Sequence, residues 1–171
     1  MIESFTQGYL DSLCGIYSIV NADKLVNKPS FIESQTLFNR IIEYLSSKKI
    51  LKDIVIKGSD HKVMKQVIKK VANDNFPLQI TNKRGIINLI DWWSYSKLFL
   101  EEKENRAIIL SLGGREYHLT VIEKMGNGIM YLRDSSSLKA TIRKSSCEMI
   151  GYTENDKYII YPSQCWYLGK E

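Results

Sequence analysis

The sequence predicts an α+β fold, on three observations. Apolar residues recur at helical spacing through most of the chain up to Glu104; from Arg106 the pattern changes to short apolar or alternating runs; and glycine-rich turns separate several of those runs. Helices first and an antiparallel sheet after is the order of an α+β domain. At 171 residues the chain can bury a core without disulfide or metal staples. No repeat, low-complexity tract or linker divides it, so 1–171 is read as one domain.

In order, residues 13–25 read as a helix opening at Cys14. Leu13, Ile16, Tyr17 and Val20 give its stripe and Ile19 and Ala22 widen it, so this helix is central and mostly buried. Asn27-Lys28-Pro29 ends it. Ser30 with Glu33 forms a capping-box pattern ahead of Leu37, Phe38, Ile41, Ile42 and Leu45. Residues 50–57 are short and apolar-rich and are assigned as a strand or a buried connection. Ser59 or Asp60 caps a third long helix with Val63, Met64, Val67, Ile68 and Val71 on one side. Its lysines (Lys62, Lys65, Lys69, Lys70) lie on the other, as a solvated face, and His61 in its first turn reads as a surface residue.

After a turn at 73–77, residues 78–90 are ambiguous, with Lys83-Arg84-Gly85 a turn. A helix over about 88–104 carries Trp92 and Trp93, assigned to core rather than to a cleft. Strands follow at 107–112, 116–124 and 129–133, with Gly113-Gly114 and Gly126-Asn127-Gly128 as turns. Further strands are assigned at 138–143, 157–161 and 165–168.

Composition narrows the function. No apolar run approaches the ~20 residues that span a bilayer, and Met1-Ile2-Glu3-Ser4-Phe5 is not a secretory signal, so a cytoplasmic location is expected. Cys14, Cys147 and Cys165 are odd in number and widely spaced, against a disulfide framework or a structural zinc site. With only His61 and His118 besides, no metal or other cofactor is called. The net charge of +5 admits an acidic partner, but the lysines are dispersed rather than set in an arginine–aromatic stripe, which disfavours nucleic acid.

One stretch carries chemistry: Gln7-Gly8-Tyr9-Leu10-Asp11-Ser12-Leu13-Cys14-Gly15-Ile16-Tyr17. A thiol at a helix N-terminus faces the positive end of the backbone dipole, and a nearby amide suits the oxyanion formed when a thiolate attacks a carbonyl. Downstream, His118 lies on a strand, and the hairpin after it returns Asp134 beside the histidine. A carboxylate there fixes the imidazole tautomer and leaves the other nitrogen for the thiol. Cys147 and Cys165 have neither a helix start nor a partner and read as structural.

These residues, in the order Gln, Cys, His, Asp, resemble the papain-like cysteine peptidases. Within that superfamily the likeness is nearest to the bacterial peptidases that clip double-glycine leaders. It rests on Gln7…Cys14-Gly15, His118-Leu119-Thr120-Val121-Ile122 and Tyr131-Leu132-Arg133-Asp134-Ser135, and covers about 7–22 and 107–136. The Gln-to-Cys spacing is one residue longer than usual there, and Leu13 stands where an aspartate precedes the cysteine. Asp11-Ser12-Leu13-Cys14 is also similar to the Asp-x-x-Cys of ovarian-tumour-type deubiquitinases, whose oxyanion hole uses backbone amides.

The resemblance implies a papain-like fold, with Cys14 as nucleophile, His118 as general base, Asp134 as its orienter and Gln7 as oxyanion donor. It implies hydrolysis of a peptide or isopeptide bond in a protein or peptide substrate, with small residues such as Gly-Gly near the cut. Glutamine deamidation or acyl transfer by the same triad is the near alternative. A non-catalytic papain-like binding module and a basic nucleic-acid adaptor are the competitors from other classes.

Overall fold

The computed structural model describes residues 5–8, 11–81, 86, 88–136, 140–149 and 156–170. The turn expected at Lys83-Arg84-Gly85 and the opening of the strand expected from Leu138 lie outside them. The fold class is α+β, with five α-helices and an eight-stranded, largely antiparallel sheet among the described residues.

Helix α1 (Cys14–Asn27) packs against strands β2 (Arg106–Gly114) and β3 (His118–Gly126). Ile16, Ile19, Ala22 and Val26 are sealed beneath it, each large aliphatic contributing about 1.5–3 kcal/mol through burial. Helix α2 (Phe31–Ser47) opens on the Ser30–Glu33 capping box that its sequence spells. Helix α4 (His61–Lys70) is capped by Asp60, whose carboxylate accepts from the Val63 amide at 2.7 Å.

Together with α3 (Leu51–Lys57), these helices cover one face of the sheet, over Ala107, Ile109, Leu119, Val121, Trp166 and Leu168. Helix α5 (Leu89–Glu102) covers the other, over Ile108, Leu110, Ile122, Met130, Ile160 and Tyr167. Trp92 and Trp93 are buried in that second core. The alternation Ala107/Ile108/Ile109/Leu110 shows why both faces can be apolar, since successive side chains leave a strand on opposite sides.

The sheet order is β1 (Leu78–Thr81), β8 (Trp166–Gly169), β2, β3, β4 (Ile129–Arg133) and β5 (Thr141–Arg143). Strand β7 (Tyr158–Ile160) pairs the far half of β2, and β6 (Cys147–Met149) runs parallel to β7.

Four differences from the sequence expectation are informative. Residues 51–57 form a helix, because Leu51, Ile54 and Val55 keep helical spacing despite their β-branched neighbours. Gly113-Gly114 is not a turn: β2 runs through it and pairs with β7, close enough that a Cβ on Gly113 would sit 2.6 Å from the Tyr161 ring. Strand β1 carries no alternation that sequence could register, being half-buried throughout. Finally, β6 makes one parallel pairing in a sheet expected to be antiparallel. Among the described residues, no helix is long and apolar enough to cross a membrane.

Candidate active site

The chemistry-bearing residues meet at one end of the sheet, where α1 begins, β3 begins and β4 ends. The Asn127-Gly128 turn has positive φ at both residues, as a tight hairpin needs, and carries β3 into β4. The register pairs Val121 with Arg133; continued along the strands, it sets Asp134 opposite Thr120 and Ser136 opposite His118. Accordingly, His118 Nε2 and Asp134 Oδ1 are 2.6 Å apart, both side chains nearly buried. The other carboxylate oxygen accepts from the Ser136 amide and hydroxyl, each at 2.8 Å. Asp134 is thus fixed from both sides.

The Ser136 hydroxyl lies 3.4 Å from the same Nε2, and the Cys14 side chain acts on the ring as well. With Nε2 engaged by Asp134, Nδ1 is the nitrogen left for the thiol. Burial alone would lower the imidazole pKa, but the Asp134 bond and the Cys14 side chain together raise it to about 9. Burial likewise opposes a charged Asp134. His118, with help from the Ser136 hydroxyl, outweighs it and holds the carboxyl down at about 2.

Two contacts set the nucleophile helix against the histidine strand, and a third ties the helix to the chain that precedes it. A Cβ on Gly15 would meet Met64 Sδ at 2.7 Å, Leu119 Cδ1 at 3.1 Å and Ser59 Cβ at 3.1 Å, so the residue after Cys14 has to be small. One turn from Cys14, the buried Ser18 hydroxyl donates to the Leu119 carbonyl at 2.9 Å. Asn21 grips the main chain of Phe5 on both sides, accepting from its amide at 2.8 Å and donating to its carbonyl at 3.0 Å. The sequence marks Cys14-Gly15 at the start of this helix, but its apolar spacing marks neither Ser18 nor Asn21.

The segment before Cys14 is held just as closely. Asp11 accepts from the amides of Gly8 at 2.9 Å and Leu13 at 3.0 Å, and Ser12 donates its amide to the Val55 carbonyl at 3.0 Å. Leu13, as N-cap, offers no side-chain acceptor to the first turn of α1. Gln7 is tied behind the pair: its amide donates to the Ser135 carbonyl at 2.7 Å, and its Oε1 accepts from the Ser135 hydroxyl at 3.4 Å. It is not among the residues lining the cleft into which Cys14 opens.

That cleft encloses about 530 Å³ and is lined by Cys14, His118, Tyr117, Gln164, Trp166 and the 57–62 segment. His61, expected on the surface, is half-buried there and stacks on Trp166 with ring centroids 4.7 Å apart. Burial and then Lys65 lower its pKa, so it is the neutral imidazole of the two. Ser59 Oγ, His61 Nδ1 and Trp166 Nε1, all in residues of this wall, are buried with no hydrogen-bond partner. A capping position and a helical pattern gave the sequence no way to mark them. A larger hollow of about 700 Å³ between β1 and α5 holds neither thiol nor imidazole.

The other two thiols are sealed. Burial pushes Cys147 and Cys165 each up to about 12, and their Sγ atoms donate to the carbonyls of Arg143 and Tyr161 at 3.4 Å. Among the described residues, no group of three His, Cys, Asp or Glu is arranged to hold a metal ion. No family model, curated protein or solved structure matches the chain.

Proposed function

We propose that this protein is a papain-like cysteine hydrolase that cleaves a peptide or isopeptide bond of a protein substrate. The observation that carries the reading is the alignment Cys14–His118–Asp134, with the carboxylate on Nε2 and the Cys14 side chain acting on the same ring. A binding-only domain has no use for a buried aspartate committed to orienting an imidazole beside a thiol.

In the reaction, Cys14 Sγ attacks the substrate carbonyl as the thiolate, its proton held by His118. The oxyanion is met by main-chain N–H groups of the uncapped first turn of α1, rather than by Gln7, which does not line the cleft. Collapse of the tetrahedral intermediate breaks the C–N bond as His118 gives its proton to the departing amine. A thioester on Cys14 remains. His118 then takes a proton from water, the hydroxide adds to the thioester, and the carboxylic product leaves with Cys14 restored. Asp134 stays ionised throughout and keeps the imidazole in place. Release of ammonia from a glutamine side chain, or transfer to an amine instead of water, follows from the same thioester, so leaving group and acceptor decide between those outcomes.

The test is alkylation by iodoacetamide, read by peptide mass spectrometry on the native protein across pH. Cys14 should label rapidly at neutral pH while Cys147 and Cys165 stay unmodified, and His118→Ala should slow Cys14 alone. Labelling of Cys14 no faster than the two sealed thiols would overturn the reading.

A further inference from the structure

We infer that the Cys14 cleft receives an acidic stretch of polypeptide, whose carboxylates lie along α4. The inference deepens the hydrolase reading and rests on it for what happens at the thiol, though not for binding.

The argument begins with charge at the cleft. Its wall includes Lys62, together with Lys57, which pairs with Asp53 at 3.7 Å, and the His118 ring, which pairs with Asp134. The one carboxylate in that wall, Asp60, is occupied in capping α4. Beyond the cleft the same sign continues. Helix α4 carries Lys62, Lys65, Lys69 and Lys70 and no acidic residue, and all four lysines are exposed. Positions 62, 65 and 69 fall within one narrow stripe, because residues three and four apart share a helix face.

Several basic side chains elsewhere are paired. Lys97 pairs with Glu101, Arg106 with Glu102, Arg133 with Glu123 and Lys157 with Glu148. The α4 lysines have no acidic partner among the described residues. A solvated face needs only to be polar, whereas this one is single-signed, unpaired and continuous with a cleft that holds a nucleophile. The N-terminal ends of α1 and α4 also converge on that cleft, and each adds the positive end of a helix dipole. On the opposite rim, Tyr117 beside His118 is 84% exposed and offers a ring to an extended chain.

A polypeptide fits this surface better than a nucleic acid. Tyr117 is the one exposed ring among the residues lining the cleft, and no arginine lines it.

The experiment measures anisotropy of a fluorescein-labelled oligoglutamate peptide, an oligoglutamine control and a single-stranded oligonucleotide with the native chain, at low and at physiological salt. The glutamate peptide should bind at least ~10-fold tighter than the glutamine one, weaken as salt rises, and slow iodoacetamide labelling of Cys14. The triple variant Lys65→Gln, Lys69→Gln, Lys70→Gln, none of them lining the cleft, should lose that preference while Cys14 labels at its usual rate, which also reports an intact fold. Equal binding of the two peptides, or an unchanged triple variant, would overturn the inference. So would tighter, α4-dependent binding of the oligonucleotide, which would make the face a nucleic-acid surface. If the glutamate peptide binds through α4 but Cys14 is unreactive, the hydrolase reading fails and the acidic-partner inference stands.

Discussion

Cys14 and Cys165 touch the same sheet from different sides, and the contrast shows what makes a thiol chemically useful. Cys14 is half-buried at the first residue of a helix, beside an imidazole whose far nitrogen is held by a carboxylate. Cys165 lies among Trp92, Tyr167 and the α5 side of β2, wholly buried, and that burial pushes its thiol up to about 12. Cys147, also buried, shares that fate. Residue type is identical in all three; burial without a charged partner suppresses the thiolate, and an imidazole at a cleft supplies the partner.

The contrast breaks most directly at Cys14 itself. Cys14→Ala should remove hydrolysis of any responsive substrate, a loss of about 10⁴-fold or more, while the circular dichroism spectrum is kept. Activity that survived in this variant would move the nucleophile elsewhere, and no other described thiol is placed to take over. The sealed thiols give the next largest effect. A shift from about 12 back toward the ordinary thiol value on unfolding should raise alkylation of Cys147 and Cys165 by about 10³-fold. If they label as fast in the native protein as in denaturant, they are not sealed and the comparison collapses.

Asp134→Asn sharpens the role of the orienter. Hydrolysis should fall by roughly 10–100-fold, because the amide leaves the imidazole without its ionic partner. The diagnostic change is in pH. His118 titrates at about 9 with Asp134 in place, so the basic limb of the rate profile should lie near there. In the variant it should move down toward 6.5. Stability carries the same signature. The raised His118 contributes fully below 6.5 and loses its contribution as pH climbs through about 9. The depressed Asp134 contributes above 3.8 and loses it as pH falls through about 2. A midpoint of thermal unfolding that is flat across both windows would count against the pair.

The sequence made the Cys–His–Asp alignment legible because each member sits at an element boundary that local grammar can mark: a helix start, a strand start and the end of a hairpin. The order of helices and sheet was legible for the same reason, with long periodic stripes in α1, α2, α4 and α5. What stayed hidden depends on partners distant in sequence. Ser18 and Asn21 look like neutral breaks in an apolar stripe until β3 and Phe5 lie against them. His61 looks like a surface residue until Trp166, far along the chain, stacks on it. Strands β1 and β6 are three or four residues long and exist only because β8 and β7 are there to pair with.

Gly15 tests whether that unseen packing governs the site. Alanine there places its Cβ 2.7 Å from Met64 Sδ, a flexible thioether that can move, and gains up to about 1 kcal/mol of helix propensity. Gly15→Ala should therefore melt close to the parent. Valine adds two methyls toward Leu119 and Ser59, which are fixed by β3 and by the start of α4, and should cost about 1–3 kcal/mol. Ser18→Ala removes one buried hydrogen bond from the same contact, about 1 kcal/mol, without pushing α1 away from β3. The two variants thus separate stability from alignment. Gly15→Val should slow Cys14 alkylation beyond what its melting point implies, because it lifts the thiol from His118, whereas Ser18→Ala should lose stability and keep the labelling rate. If both variants label like the parent, the fit of Gly15 against β3 holds the fold together but does not set the thiol against the imidazole.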